Sequence, residues 1–242
     1  MIASEFRGMP SVNESVCRLC PYRAQSVFGD LPEPQLNEFC GLKLTSRYQK
    51  QQRIFYEGEP NLGISIVCSG KVKLSRSSST GKTQILNIVG PCGLLEEKDL
   101  FLSDRHTVSA EALEDSTVCF VKKEQFLAFL GANPTVTLRL IQHLSQELAR
   151  AEDRSFALTS LDVKQRLAAL LLELADRHGA TLPQGRVIDV PLTRENLAEM
   201  IGATPESVIR ALSAFRKIGV LKDHAKQIIL LRPDHLRGLV ET

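Results

Sequence analysis

The 242-residue chain carries almost no excess charge: 30 Lys and Arg against 28 Asp and Glu leave +2. Global charge therefore names no partner, neither a polyanion nor an acidic surface. No apolar run approaches the roughly 20 residues that a bilayer span needs. The N-terminus lacks a basic start followed by an apolar core, so no secretory signal is read. A cytoplasmic location without membrane contact is the expectation. Catalytic patterns are missing as well. There is no Ser/His/Asp order, no phosphate loop and no paired-carboxylate site, and the strand-rich middle of the chain holds a single histidine, His106. Cys17 and Cys20 form a Cys-x-x-Cys pair, as in thiol oxidoreductases. They lie in an irregular segment rather than a βαβ unit, so the chain is not expected to be an enzyme.

What is present divides the chain. Its length allows two domains, each able to bury a core. Residues 1–30 are polar and without period, and carry the first two cysteines. A short amphipathic helix is expected from Leu31 to about Leu44, opened by Pro32 and Pro34. From Gln52 to Val121, short strands alternate with turn signals: Arg53–Tyr56, Gly63–Cys68, Lys71–Leu74, Gln84–Val89, Thr107–Ala112 and Thr117–Val121. Strands of this length and spacing predict a sandwich or jelly-roll barrel over 31–132.

Asn133 and Pro134 open a long helix, expected over 133–160. Ile141, Leu144, Leu148, Ala151, Ser155 and Leu158 follow one another at steps of three and four, which is a heptad seam. Most other positions are polar, so the narrow stripe calls for a matching helix and predicts a homodimer. The competing reading lays the stripe on the chain's own barrel. Asp162 then starts another helix, with Gln165 placed for a capping box.

The most organised stretch is Arg194–Ser213 in the segment 161–242. Thr193 is placed to cap a first helix, Gly202 to reverse the chain, and Thr204 with Pro205 to start a second. Val208, Ala211, Leu212 and Phe215 give the second helix one apolar stripe. Its other face carries Glu206, Ser207, Ile209, Arg210 and Ser213. A helix-turn-helix lays such a face in the DNA major groove, where Arg bonds both guanine acceptors and Glu accepts from the cytosine amino group. Thr204, Glu206, Ser207, Ile209, Arg210 and Lys217 are the candidate DNA contacts. Val220–Lys222 and Gln227–Leu230 read as a hairpin, hence a wing. From Thr204 to Lys226, five cations against two anions give a local +3 where phosphates would lie. An ordinary helical hairpin with a solvated polar face is the alternative.

In this order and spacing, barrel, seam helix and winged helix resemble the CRP/FNR superfamily of transcription regulators over roughly 31–235. The most specific pieces are Phe55-Tyr56-Glu57-Gly58-Glu59, Ser69-Gly70-Lys71-Val72-Lys73-Leu74, Ala112–Val118 and Leu192–Gly219. The resemblance implies an α+β chain with a cyclic-nucleotide-binding-like barrel, a dimerisation helix and a winged helix-turn-helix. It implies a homodimer on a palindromic promoter site in contact with RNA polymerase, with a signal in the N-terminal half repositioning the reading helices. Glu206 and Arg210 match the pair that reads the inner G·C of the half-site. Ile209 stands where the FNR-like branch has Ser, and offers only an apolar contact, such as to a thymine methyl.

The signal is read from what departs from the family pattern. The cyclic-nucleotide branch carries Gly-Glu-Leu and then Arg-Ser. Here Gly93-Leu94-Leu95-Glu96-Glu97 is followed by His106-Thr107, with Arg105 one place out of register, so cyclic AMP is not expected. Cys17, Cys20 and Cys119 match ligand positions of the FNR-like branch, which implies a [4Fe–4S] cluster. A further ligand position holds Ser26, and Cys92 in its Gly-Pro-Cys-Gly turn is the candidate fourth donor. Cys68 and Cys40 are expected to be core or surface thiols. Two other readings stay open: a thiol–disulfide switch, with structural zinc as a variant, and an organic effector or haem in the barrel, with His106 or His143 as the iron ligand.

Overall fold

The computed structural model describes residues 20–224 and 227–241; Cys17 lies outside the described residues. The chain builds an α+β molecule. Strands β1 (Leu44–Tyr48), β2 (Arg53–Phe55), β3 (Gly63–Ser69), β4 (Val72–Ser77), β5 (Thr83–Val89), β6 (Leu94–Leu95), β7 (Ser109–Ala112) and β8 (Ser116–Lys122) form two antiparallel sheets. Their orders are β1-β8-β3-β6 and β2-β7-β4-β5. β9 (Gly179–Leu182), β10 (Gly185–Ile188), β11 (Leu221–His224) and β12 (Gln227–Leu230) make a third sheet, ordered β11-β12-β10-β9. Helices α1 (Glu33–Gly41), α2 (Asp99–Leu102), α3 (Lys123–Ala132), α4 (Pro134–Ser160), α5 (Val163–His178), α6 (Arg194–Ile201), α7 (Pro205–Lys217) and α8 (Pro233–Val240) complete the described part.

β3 shows why the barrel holds together. Its side chains alternate across the sheet, and both faces are covered. Ile64 and Ile66 join a core with Phe39 of α1, Phe126 and Phe129 of α3, and Val136 and Leu140 of α4. Val67 faces the second sheet and meets Val72, Leu74, Val89, Ala110 and Val118. The run from Gly63 to Val67 is therefore buried without a break. β1 escaped the sequence reading. Leu-Thr-Ser-Arg-Tyr is mostly polar and holds no buried residue, and it becomes a strand by pairing with β8 from Leu44↔Phe120 to Tyr48↔Ser116. The helix before it stops at Gly41 for the same reason. Neither α3 nor the two-residue β6 was anticipated.

α4 divides its apolar residues between two surfaces. Val136 and Leu140 are buried against the barrel, and Leu144 packs half-buried beside them. Ile141 and Leu148 keep 54% and 62% of their surface exposed, and Leu138 and Phe156 are exposed as well. Two of the expected seam residues also touch the chain's own surfaces. Leu144 serves the chain's own barrel, one turn behind Leu140. Leu158, though still 39% exposed, lies beside the turn at Gly202, where an added Cβ would come within 3.2 Å of its Cδ2. Among the described residues, no helix is long and apolar enough to cross a membrane.

Candidate nucleic-acid interface and cysteine pocket

The reading unit is built from capping chemistry outward. Thr193 accepts from the N–H of Asn196, whose side chain accepts from the Thr193 N–H in return, closing a capping box on α6. Gly202 ends α6 at φ 62°, a left-handed turn that glycine adopts without a Cβ penalty. Thr204 then accepts from the Ser207 N–H at 3.3 Å and caps α7, which Pro205 begins. Val208, Leu212 and Phe215 are fully buried, with Ala211 beside them. These four residues lock one face of α7 into a core shared with Leu197, Ala198 and Ile201.

The opposite face is open. Glu206, Ile209, Arg210, Ser213 and Lys217 are exposed, while Thr204 and Ser207 sit at the helix start. Arg210 donates to Ser207 Oγ at 3.1 Å, which holds its guanidinium along the N-terminal half of the face. The Glu206 carboxyl is held below the usual carboxylate range by its own backbone N–H and by the Thr204 hydroxyl, so it stays an acceptor. Arg216 does not belong to this free set. It pairs with Asp223 of β11 at 2.6 Å, and Arg194 reaches the other oxygen of Asp223 at 3.2 Å. One wing carboxylate thus ties the hairpin to both ends of the helical pair, which the count of local cations did not reveal. Lys226 lies outside the described residues.

Four of the described cysteines gather beside the barrel. Cys20 Sγ lies 3.1 Å from Cys92 Sγ. Cys119, on β8, is joined by a disulfide to Cys68, on β3, with their Cα atoms 6.5 Å apart. All four line one small cavity, of about 40 Å³, walled by Phe28, Leu36, Phe39, Ile66 and Val67. Cys68, expected as a core or surface thiol, is therefore part of this group; Cys40 packs at the edge of the neighbouring core and does not line the cavity. Cys92 takes a left-handed backbone conformation, φ 63°, that only a few per cent of non-glycine residues adopt. Its N–H donates to Val67 O at 2.7 Å, which fixes the turn beside β3. The N-terminal segment is tied to α4 by Arg139, which bonds Asp30 and the carbonyl of Ser26.

The barrel corner expected to lack a cyclic-phosphate clamp is filled by carboxylates. Glu96 is buried and bonds His106 Nδ1 at 2.8 Å and both the N–H and hydroxyl of Thr107. Burial pushes its carboxyl up, against the opposing pull of His106. In Asp99, burial pulls the same way, but hydrogen bonds from Glu96 and Lys98 prevail and leave its carboxyl below the usual range. Arg105 turns away to donate to Gly58 O at 2.7 Å. The two histidines considered as iron ligands are both engaged. His106 stacks on Phe55 with ring centres 3.8 Å apart, and His143 Nε2 meets Glu97 at 2.9 Å. That hydrogen bond raises the His143 pKa.

Barrel and reading unit touch directly. Ile85 and Ile88 of β5, with Leu113, join the core of the DNA-facing half. Lys71 bridges Glu114 on the barrel and Asp189 before α6 at 3.1 and 3.2 Å, and Asp189 also accepts from Gln227 at the wing base. His178, at the end of α5, bonds the carbonyl of Ile88 at 3.2 Å.

Residues 45–133 match the model of the cyclic nucleotide-binding domain, and residues 165–239 match that of the Crp-like helix-turn-helix domain. The nitrogen fixation regulation protein FixK of Bradyrhizobium diazoefficiens is 26% identical over 94% of this chain and 94% of its own length. The CRP-like cAMP-activated global transcriptional regulator of Mycobacterium tuberculosis is 28% identical over 78% of this chain and 84% of its own. The anaerobic regulatory protein of Bacillus subtilis is 29% identical over 81% and 83%. Among solved structures, that of FixK2 from Bradyrhizobium japonicum superposes with a TM-score of 0.72 at 28% identity, covering 81% of this chain and 96% of that one.

Proposed function

The chain belongs to the CRP/FNR superfamily of DNA-binding transcription regulators, and from that premise we propose that two copies, joined along α4, read a palindromic duplex site and contact RNA polymerase. The observation that carries this reading is α7 itself: one face buried, the other presenting exposed Glu206, Ile209 and Arg210 from a start capped by Thr204 and opened by Pro205. Arg210 donates to guanine O6 and N7, Glu206 accepts from the paired cytosine, and Ile209 meets a thymine methyl. Thr204 and Ser207, at the positive end of the helix, and Lys217, at its far end, hold flanking phosphates. The exposed Ile141, Leu148 and Ala151 close against their equivalents in the second copy, which spaces the two α7 helices about 34 Å apart, one turn of DNA.

Selection of bound duplexes from a random pool at moderate salt is the test. Two half-sites one helical turn apart are expected; binding without sequence preference overturns the reading.

The signal enters through the cysteine pocket, with an iron–sulfur cluster on Cys17, Cys20, Cys92 and Cys119 as the favoured occupant. Cys20, Cys92 and Cys119 line one cavity whose other walls are largely apolar, and Cys119 becomes a donor only once its disulfide to Cys68 is reduced. Such a cluster supplies sensitivity to O₂ or NO. The chain's own part is to hold the N-terminal segment on the barrel, so that Arg139 keeps that segment docked on α4. The carboxylates of Glu96 and Asp99 fill the corner that a cyclic phosphate would need, which favours this input over cyclic AMP. An anaerobic preparation should be brown, contain iron and sulfide, and bleach in air. The Cys68–Cys119 disulfide favours a second reading, a metal-free thiol switch; a colourless, iron-free anaerobic protein would support it.

A further inference from the structure

His178 is the last residue of α5, a helix whose apolar face belongs to the core of the DNA-facing half. Two residues of the barrel meet its ring. Nε2 donates to the carbonyl of Ile88, on β5, at 3.2 Å. A Cβ added to Gly90 would stand 3.4 Å from Nδ1 and 3.6 Å from Cε1. The ring is therefore seated on barrel backbone at both points. The His178 carbonyl accepts from the Asp189 N–H at 3.0 Å, and the Asp189 carboxylate accepts from Lys71 on the barrel and Gln227 of the wing. Neighbouring Arg177 also reaches β5, at Asn87 Oδ1, 2.7 Å away. Its long side chain can follow a shift of the strand; the His178 ring cannot.

The turn that Gly90 opens ends at the cysteine pocket. Cys92 donates its N–H to Val67 O at 2.7 Å, and Gly93 O accepts from the Val67 N–H at 3.0 Å, so two bonds fasten the turn to β3. The Gly93 N–H closes it on Gly90 O at 3.1 Å. Pro91 fixes its own φ. Cys92 sits at φ 63°, a region that a residue with a side chain keeps only while its surroundings hold it there. Cys20 Sγ lies 3.1 Å from its sulfur. Four residues thus form a short closed unit, with a sulfur near one end and the seat of His178 at the other.

We propose that His178, seated on Ile88 and Gly90, is a positioning residue for the DNA-binding half, and that the Gly90–Gly93 turn carries a change at Cys92 to that seat. The second part rests on the reading of the cysteine pocket as the signal site; the first part does not. When the Cys92 backbone leaves its left-handed conformation, the peptide planes on either side rotate and Gly90 moves with them. The seat then no longer matches the ring, and the segment from His178 to Asp189 gains freedom. Both copies present α7 less rigidly, and binding that depends on two preorganised helices weakens.

The test uses the full chain, reduced and freed of metal with a chelator, and the duplex obtained by selection. Gly90→Val leaves every cysteine in place and drives two methyl groups toward the ring. It should weaken binding about fivefold or more and speed hydrogen exchange at the Asp189 amide. Gly90→Ala, whose Cβ makes an ordinary contact, should bind like the unmutated chain. Cys92→Val places a branched side chain where positive φ disfavours it and should weaken binding as Gly90→Val does; Cys92→Gly, at ease there, should not. In a His178→Ala background, neither Gly90→Val nor Cys92→Val should cost anything further. A Gly90→Val protein with unchanged affinity and unchanged Asp189 exchange overturns the seat, and so do losses that simply add in the double variants. Equal losses in Cys92→Gly and Cys92→Val overturn the part given to the turn. If iron- and sulfide-loaded protein binds the duplex no differently from the metal-free form while Gly90→Val behaves as expected, the iron–sulfur signal fails and the His178 seat stands.

Discussion

Between Thr193 and Leu230 the reading unit is built mainly from neighbours in sequence: a threonine caps the helix it precedes and a glycine turns the helix it follows, with Asp223 reaching back from the wing to Arg194 and Arg216. The cysteine pocket is assembled from residues 20, 68, 92 and 119, which meet because two paired strands of one sheet, the turn after β5 and the N-terminal segment come together there. A unit of the first kind survives changes elsewhere in the chain. One of the second kind registers them, which suits a signal site. Contacts lie between the two: on the pocket side, Arg139 of α4 donates to the carbonyl of Ser26. At the reading end, the links are the Lys71–Asp189 bridge and the His178–Ile88 bond.

The sharpest way to break this comparison is to separate the copies without touching either unit. Ile141→Glu combined with Leu148→Glu should turn a dimer into a monomer by analytical ultracentrifugation, while metal uptake at the pocket stays unchanged. Next comes the local core. Phe215→Ala removes a fully buried ring and should cost the DNA-binding half about 3–5 kcal/mol, read as an early melting step that leaves the barrel transition in place. A single transition shifted as a whole would mean the two halves fold as one. Arg210→Ala should weaken specific binding by about 1–3 kcal/mol and relax one base position in each half-site. Equal affinity and equal selectivity would remove α7 from the interface.

Acidification tests the contact between the halves. Burial, and then the Arg177 charge, lower the His178 pKa to about 4, with Lys71 adding to the shift and Asp189 opposing it. Between pH 6.5 and about 4 the unfolded chain therefore binds more protons than the folded one. This contribution to stability is complete above pH 6.5 and is lost as the pH falls through about 4, with a slope of at most about 1.4 kcal/mol per pH unit. His143 runs oppositely: its pKa is raised by Glu97, so its contribution is complete below pH 6.5 and is lost as pH rises through the folded value. Urea melts at pH 7 and pH 5 should show a smaller loss for His178→Gln than for the unmutated chain. The smallest effect is expected from Thr193→Ala, about 1 kcal/mol from one lost cap, measured by the same melts.

Legibility followed the distance between interacting residues. The stripe at Val208, Ala211, Leu212 and Phe215, both threonine caps and the Asp162–Gln165 box were readable because their partners lie within one or two helical turns. The pairing of Arg216 with Asp223 was not legible in a charge count, because it is made only once the wing folds back on α7. β1 was missed because its sequence lacks an apolar alternation and its only reason to extend is β8, some 70 residues away. The half-burial of Leu144 against the barrel was not legible, because a 3.5-residue spacing cannot say which apolar surfaces a helix residue will meet.

The order of barrel, long helix and winged helix, and the chemistry of the face that α7 presents, follow from periodicity, caps and turns alone, since these act over short stretches of chain. Which sulfur faces which was decided only by tertiary structure. Pairing Ile66 with Cys119 and bonding Cys92 to the Val67 carbonyl fix that geometry, and a ladder register between distant strands depends on the whole barrel closing around its core.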